Sequence, residues 1–371
     1  MRKLIAALAA LAVVAVAPGA GAVDVDGPSA GGFASDNIEW VGYVPFENDT
    51  SGARIVGKYL YITTSNHLQI YGLKNPESPE RLGTVPLLQQ PYFAQEDVDT
   101  NGNIALVGTV DGTLNIVDVE DKSNPTVVGQ LEGAAQHTNS CVLDCTFAYG
   151  SGGNIVDLRD PANPKEVGSW TKGTPASSGG HDVTEVSPGL IVTSTQPVML
   201  LDARKNPAKP KVLAVAGNKD GRFMHSNLWP NGMKDRWLLV GGETSGPSCD
   251  ETDGAFMTWD TKGWQKSKTF TMRDEYRVTN GLPTDGNAPA NLYCMHWFDT
   301  HPDYRNGGIV SVAWYEHGAR FLEVTKDGKI KEAGFFIPIA GSTSAAYWVT
   351  DEIIYTADYN RGIDILRYTG K

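Results

Sequence analysis

Long hydrophobic runs are absent from this 371-residue chain after its first residues. The sequence opens with the basic residues Arg2 and Lys3, an apolar run over 4–17 and small residues at 20–22. This order is typical of a secretory signal peptide, and the run is shorter than the roughly 20 residues that a membrane-spanning helix needs. We therefore expect that residues 1–22 are removed and that the protein is secreted or held at the cell envelope. An uncleaved anchor is the alternative.

Basic charge is also scarce. The chain has 31 Lys and Arg against 43 Asp and Glu, a formal net charge of −12, and loss of the signal peptide would make it more negative. A surface of this sign repels phosphate backbones, so nucleic acid is not an expected partner. A small molecule, a peptide or a cell-surface partner remains, and no transmembrane segment is expected after signal removal.

Sequence signatures of common active sites are missing. The chain has no Gly-x-Ser-x-Gly nucleophile elbow and no Walker loop, which are the motifs of many hydrolases and nucleotide-binding proteins. The Asp- and Asn-rich segments 99–103 and 284–287 lack the spacing and the final Glu of an EF-hand, so we interpret them as turns.

Sustained helical periodicity is absent as well. The chain instead contains a repeated sequence segment, called the repeated phrase below. The segment LNIVDVEDKSNPTVVG (114–129) returns as GNIVDLRDPANPKEVG (153–168) and as LLDARKNPAKPKVL (200–213). Further copies, most of them weaker, occupy 68–85, 256–270, 320–336 and 361–371. Upstream of the copies lie two short runs rich in Val, Ile and Thr that a turn separates, which is the pattern of β-strands. Each unit therefore supplies four short strands.

Repeats of about 40 to 50 residues with four strands each predict the blades of a β-propeller. First strands near residues 54, 96, 137, 181, 225, 296 and 343 predict an all-β, seven-bladed propeller, and we expect residues 23–371 to form a single domain. The last unit ends after its third strand, whereas IEWVGYVP (38–45) is spare at the start. We predict that this N-terminal strand completes the last blade and closes the ring, which leaves no open edge.

The repeated phrase resembles the LVIVD-repeat family of bacterial and archaeal surface proteins, most clearly over residues 60–215. The fifth copy departs from the pattern because it lacks Asn-Pro, and the sixth has Glu323 where the Asp would stand. The resemblance implies a β-propeller and an exported location, and it implies no established reaction. The motif residues Asp118, Asp157 and Asp202 are expected to cap the turn that follows each of them, which is a structural role.

Polar residues recur at the same position of each predicted blade, the start of its first strand. The first strand of each blade is expected to line the central channel, with its starting residue at one mouth. This position holds, from blade one to blade seven, Ser51, Glu96, His137, His181, His225, His296 and Ser344. Equal spacings of 44 residues separate His137, His181 and His225. We predict that the four histidines and Glu96 converge at this mouth and form its ligand-binding site.

Imidazole is a frequent ligand of zinc, copper and iron, so these four histidines are also predicted metal ligands. Glu96 or Asp182 would then orient an imidazole through its other nitrogen. Without a metal, the same mouth would bind a polar ligand, and an inert channel is the third alternative. The leading interpretation is a secreted binding or interaction scaffold. A metal-dependent oxidoreductase, with copper as a candidate cofactor, is the alternative.

Cysteine is scarce, and its four copies form an even set. In an exported protein this predicts two disulfides, with three pairings to choose from. Cys249 and Cys294 belong to loops that should leave the same face of the propeller, and a bridge between them would pin long insertions over the His-bearing mouth. Cys141 and Cys145 flank one turn and would close a tight hairpin.

Two insertions, 243–255 and 277–292, are expected to form a rim over this mouth. Trp229, Tyr293 and Trp297 lie near them, although packing between blades is the alternative for each single tryptophan. The histidines at other phases are interpreted as surface or packing residues; these are His67, His301 and His317.

Overall fold

The computed structural model describes residues 31–45, 50–64, 66–87, 98–176, 178–216, 223–243, 254–278 and 294–370. The predicted signal peptide, Glu96, Cys249, Tyr293 and most of both insertions lie outside these residues. Among the helices of the described part, none is long and apolar enough to cross a membrane.

The described residues form seven antiparallel sheets. Two strands, β1 (Gly32–Ala34) and β2 (Ile38–Pro45), precede the first complete sheet. Blade one contains β3 (Thr50–Val56), β4 (Tyr59–Thr64), β5 (His67–Gly72) and β6 (Glu80–Pro86). Blade two contains β7 (Asp99–Thr100), β8 (Ile104–Gly108), β9 (Leu114–Asp118) and β10 (Thr126–Leu131). Blade three contains β11 (Asn139–Val142), β12 (Phe147–Gly150), β13 (Asn154–Asp157) and β14 (Lys165–Ser169).

The remaining blades follow the same plan. Blade four contains β15 (Asp182–Ser187), β16 (Leu190–Ser194), β17 (Val198–Asp202) and β18 (Lys211–Ala216). Blade five contains β19 (Phe223–Leu228), α1 (Pro230–Met233), β20 (Trp237–Glu243), β21 (Phe256–Asp260), α2 (Trp264–Ser267) and β22 (Thr271–Tyr276). Blade six contains β23 (Phe298–Thr300), β24 (Gly308–Ala313), β25 (Ala319–Val324) and β26 (Ile330–Pro338). Blade seven contains β27 (Thr343–Trp348), β28 (Ile353–Asp358) and β29 (Gly362–Tyr368).

These sheets are the blades of a seven-bladed β-propeller, as the repeats predict. First strands of neighbouring blades contact each other, for example β11 with β15 and β15 with β19, so they line the central channel. Successive strands alternate in direction, and all first strands therefore begin at the end of the channel where the second strands finish. We call the end at which β15 begins after His181 the His mouth, and the end at which β3 reaches Gly57 the far mouth.

The start of the chain closes the ring. Strand β2 pairs with β29 as the outermost strand of blade seven, with Ile38 opposite Tyr368 and Pro45 opposite Gly362. This confirms the predicted closure. Strand β1 was not predicted, because three residues are too short to show a period. It pairs with β26 and adds a fifth strand to blade six, so the same segment ties the last two blades together.

The hydrophobic core lies in layers between neighbouring blades. Val142 and Tyr149 of blade three pack with Ile191 and Met199 of blade four in one such layer. Both faces of a blade are covered in this way, and its middle strands therefore have continuous apolar runs and not an alternation of polar and apolar residues. Strand β16, with the sequence LIVTS, shows this pattern of nearly complete burial.

The aspartates of the repeated phrase cap turns, as expected. The backbone N–H groups of Glu120, Arg159 and Arg204 donate to Oδ1 of the aspartate two residues earlier, at 2.9, 3.0 and 3.1 Å. These hydrogen bonds define the turn that leads towards Asn-Pro and the fourth strand. The structural interpretation of the motif aspartates is confirmed.

The glycine that ends the phrase has a packing role. A Cβ atom at Gly129 would lie 2.0 Å from the carbonyl oxygen of Pro161, and one at Gly168 would lie 2.0 Å from that of Ala208. Each glycine belongs to the outermost strand of one blade, and each carbonyl belongs to the Asn-Pro turn of the next. The repeat therefore contains both sides of one contact, which fixes the approach of consecutive blades.

Candidate metal centre

Four histidines meet at the His mouth. His137 and His181 lie just before β11 and β15, and His225 lies in β19. The ring centroids of His137 and His181 are 4.1 Å apart, and those of His181 and His225 are 3.6 Å apart. His296, which precedes β23, follows at 4.2 Å from His225. The structure thus brings together all four histidines that share one phase in the sequence.

These rings are packed tightly and are shielded from water. His225 and His296 have no exposed surface, and His181 is 6% exposed. The Nε2 atoms of His137 and His181 are 2.5 Å apart, which requires one nitrogen to donate a proton and the other to accept it. His137 therefore orients His181 by a direct hydrogen bond.

β-Bulges aim several of these residues at the channel axis. The register between β19 and β20 shifts between Met224 and Ser226, which makes His225 the extra residue. The same shift in blade seven isolates Ser344, and its carbonyl oxygen accepts a hydrogen bond from Nδ1 of His296 at 2.5 Å. Bulges redirect a side chain without ending the strand. Because Nδ1 of His296 carries the proton, Nε2 is its basic nitrogen.

Glu243 is a site residue that the sequence analysis did not identify. It ends β20, and second strands finish at the His mouth. Its Oε2 lies 3.8 Å from Nε2 of His225, and the ligand atoms of His181, His225 and Glu243 all lie within 4.8 Å of one another. A signal was present in the sequence, because Glu243 is the first residue of the predicted rim insertion.

Two tyrosines complete the wall of the site. The Tyr315 hydroxyl donates a hydrogen bond of 2.7 Å to Oε1 of Glu243, which leaves Oε2 on the side of His225. The Tyr315 ring lies 4.6 Å from that of His296, and the Tyr359 ring stacks on Tyr315 at 6.2 Å. Both tyrosines follow a second strand, so the turns between second and third strands supply them.

The donor set suits a transition-metal ion that accepts nitrogen and oxygen ligands. Zn²⁺ binds such ligands at about 2.0–2.2 Å, which places the ligand atoms of a tetrahedral site about 3.4 Å apart. The 3.8 Å between His225 and Glu243 is close to this separation. The 2.5 Å between His137 and His181 is too short for two ligands of one ion. The structure therefore favours His181, His225 and Glu243 as the three residues that would coordinate the ion.

The expectation that Asp182 orients an imidazole is wrong. Its Oδ2 accepts a hydrogen bond of 2.6 Å from the Thr184 hydroxyl, and it lines a channel cavity below the histidines. Neighbouring residues of an extended strand point to opposite sides, which separates Asp182 from the ring of His181. Burial raises the pKa of Asp182 to about 6. Glu96 lies outside the described residues, and its role remains a prediction.

The other histidines have packing or surface positions, as expected. His67 is the first residue of β5 and is half-buried. The His301 ring packs against Trp348 with centroids 4.6 Å apart. His317 is buried in the turn before β25, where desolvation, followed by the charge of Arg320, lowers its pKa to about 4.

The two described tryptophans of the expected rim lie inside the fold. Trp229 is 2% exposed and packs edge-on against Trp264 and Phe270 within blade five, so packing is the correct interpretation. Trp297 is also buried and lies beneath the histidines, 5.2 Å from the ring of His225. It forms the floor of the site and not its rim.

One predicted disulfide is present in the described residues. Cys141 and Cys145 are bonded, with Cα atoms 4.3 Å apart, across the turn between β11 and β12. Cys294, two residues before His296, is also disulfide-bonded. Its predicted partner, Cys249, lies outside the described residues, so that pairing remains a prediction.

Comparison with known proteins supports the fold and the repeat. The chain is similar to the β-propeller domain of Cps50 (Swd1) from Myceliophteria thermophila, with a TM-score of 0.60 over 88% of this chain and 99% of that one. At 11% identity, this likeness shows the fold alone. The class of protein is therefore a seven-bladed β-propeller. Within it, residues 95–132 match the LVIVD repeat, which confirms the resemblance at that unit. No curated protein matches the chain.

Proposed function

We propose that this protein is an exported propeller scaffold that binds a divalent transition-metal ion at the His mouth. The ligands are His181, His225 and Glu243. The main support is the meeting of these three donors within 4.8 Å of one another. Two imidazoles with one carboxylate form a donor set that zinc and non-haem iron use, and imidazole also suits copper. Three protein ligands leave a further position for water or a small molecule.

Burial of the histidines also supports a metal. Moving an imidazole out of water costs free energy unless its nitrogens find partners. His225 is fully buried, and coordination to an ion would offset this cost. The residues around each histidine differ from blade to blade, which argues against simple copying of one repeat.

Export is supported by the signal-peptide pattern and by the Cys141–Cys145 disulfide. Disulfides persist in oxidising compartments and are rare in the cytosol. The ion would then be acquired outside the cytosol or during export. Release of the chain or retention at the envelope are both compatible with this location.

Metal titration of the purified chain tests the proposed function. The protein is produced without a polyhistidine tag, stripped with a chelator and titrated with Zn²⁺, Cu²⁺ or Fe²⁺. We expect one ion per chain and a stabilisation of about 2.7 kcal/mol at a free concentration 100 times Kd, seen as a higher Tm. Mg²⁺, which prefers oxygen ligands, should have no effect. If none of the three ions binds and none changes Tm, the proposal is refuted.

A metal-dependent oxidoreductase is the second candidate function. The observation in its favour is Tyr315, a phenol hydrogen-bonded to the proposed ligand Glu243. Such a side chain is able to exchange a proton and an electron with a neighbouring metal ion. The identity of the ion separates the candidates, because Zn²⁺ has no redox chemistry. Selective binding of copper or iron would support the oxidoreductase, and selective binding of zinc would exclude an oxidoreductase in which the metal ion itself changes oxidation state.

A further inference from the structure

The central channel contains a cavity of about 580 Å³ on the far side of the histidines. On the first strands, its lining residues follow the histidines along the chain: Asp182 follows His181, Asn227 follows His225, and Trp297 follows His296. The cavity extends to Gly57 and Asn101, where β3 and β7 end. It therefore lies between the His mouth and the far mouth. A volume of this size is typical of sites for small molecules.

The charge around this channel cavity is mainly negative. Four carboxyl groups that are buried or half-buried line it, together with the exposed Asp144 and a single guanidinium, that of Arg54. The carboxyl groups belong to Asp99, Asp182, Glu185 and Asp299. Arg54 Nε lies 3.3 Å from Oδ1 of Asp99, so one of the four has a direct ionic partner. The low dielectric of the interior strengthens the field that the others produce.

Part of this acidic set has a structural role. Asp99 Oδ2 accepts a hydrogen bond from the backbone N–H of Cys141 at 2.7 Å, and Asp299 Oδ2 accepts one from Trp348 at 3.2 Å. Both bonds link a carboxylate to the first strand of the next blade. They orient the carboxylates and do not neutralise them. The blades are thus joined by groups that still leave negative charge in the cavity.

Aromatic residues also line the cavity. Trp297, Phe298, Tyr347 and Trp348 all line the cavity, and they belong to the adjacent blades six and seven. Aromatic faces attract cations through their quadrupole, most strongly where water is excluded. Carboxylates combined with aromatic rings are the chemistry that recognises organic ammonium groups.

Two polar atoms in the lining have no hydrogen-bond partner among the described residues. They are Oγ of Ser140 and Oδ1 of Asn227, and the residues are 3% and 5% exposed. The Asn227 amide group is already fixed, because Nδ2 donates to the Ser194 hydroxyl at 2.8 Å. Buried polar atoms normally find a partner. Both atoms have less than 1 Å² of accessible surface, so they lie behind the cavity wall and do not contact its contents.

We propose that the channel cavity is a second site, separate from the metal centre, and that it binds a small organic cation. An ammonium group would lie among the carboxylates of Asp99, Asp182 and Asp299. Its apolar part would lie against Trp297 and Tyr347. This site does not depend on the proposed metal.

Calorimetric titration of the chelator-stripped chain with three probes of equal shape tests this site. The probes are phenethylamine, the neutral 2-phenylethanol and the anionic 3-phenylpropionate. We expect the amine to bind at least about tenfold more tightly than either control, since only the amine gains from the carboxylates. If the alcohol binds as well as the amine, or if the anion binds best, the proposal fails.

Two substitutions with opposite expected effects on the affinity for the amine make the test specific. Asp299→Asn keeps a hydrogen-bond acceptor for Trp348 and should weaken amine binding about tenfold. Arg54→Gln removes the competing cation and should tighten amine binding several-fold. A cavity that binds through shape alone would show neither change. Because these titrations use the chelator-stripped chain, they separate failure of this site from failure of the metal centre.

Discussion

Joint replacement of His181 and His225 by alanine is expected to lower metal affinity by at least about 100-fold, because loss of even an outer partner of a ligand costs 10- to 100-fold. The double variant removes two of the three inner ligands and leaves Glu243 alone at the site. The rise in Tm that the ion produces in the wild type should disappear with it. Titration by calorimetry, together with elemental analysis after dialysis, measures both effects.

Two controls separate lost ligands from lost structure. His301→Ala removes an imidazole that packs on Trp348 away from the site, and it should bind the ion as the wild type does. His181→Gln with His225→Gln retains more side-chain volume than the alanine pair and should also lose the ion. Circular dichroism of the stripped proteins establishes that each is folded. A double variant that still binds one ion with wild-type affinity would contradict the ligand assignment.

The second large effect concerns closure of the ring, where Asp364→Ala should cost about 3 kcal/mol of unfolding free energy. Oδ1 of Asp364 accepts hydrogen bonds from Trp40 Nε1 at 2.8 Å and from Arg361 Nη2 at 2.7 Å. Trp40 lies in β2 and Asp364 in β29, so this buried carboxylate joins the N-terminal strand to the last blade. Its removal leaves the Arg361 side chain, 15% exposed, without a carboxylate.

Asp202→Ala is the matched control, since Asp202 also pairs with an arginine that lies close to it in the sequence. That pair, with Arg204, lies at the surface, and exposed ion pairs contribute about 1 kcal/mol or less. Urea unfolding of both variants measures the difference. Equal losses for Asp364→Ala and Asp202→Ala would show that the contact between β2 and β29 does not depend on the buried carboxylate.

The pH dependence of Asp364 has a defined sign. Burial, which outweighs the attraction of Arg361, raises the pKa of this carboxyl to about 6, above the value of about 3.9 in unfolded chains. The folded state therefore binds the proton more tightly, and the stabilisation from protonation is lost as pH rises through about 6. Between pH 7 and pH 5, the wild type should gain more stability than Asp364→Asn, in which this group does not titrate. Parallel curves would contradict this assignment.

The repeat made most of the fold predictable. A phrase with Asp, Asn-Pro and Gly at fixed positions encodes two turns and one contact between blades, as Asp118 and Gly129 show. The spare strand at 38–45 predicted the closure because pairing in a ring must be completed by one end of the chain. Strand β1 could not be predicted, since three residues carry no periodic signal.

The convergence of the histidines followed from their phase. Equivalent positions in a ring of blades face one axis, so a spacing of 44 residues became a distance of a few ångströms. Glu243 and Tyr315 do not share that phase. Glu243 ends one second strand and Tyr315 follows another, and only the direction of those strands places both residues at the same mouth. The channel cavity was equally hidden, because its lining is assembled from residues of all seven first strands.

Anomalous X-ray diffraction from a crystal of the metal-loaded chain tests the central claim most directly. Data collected at the absorption edge of the bound ion locate it without reference to any other assumption. We predict one peak about 2.0–2.2 Å from a ring nitrogen of His181, a ring nitrogen of His225 and a carboxylate oxygen of Glu243. A peak elsewhere, for example at His67 or His301, or no peak at the His mouth in a crystal soaked with each of the three ions, would contradict the account.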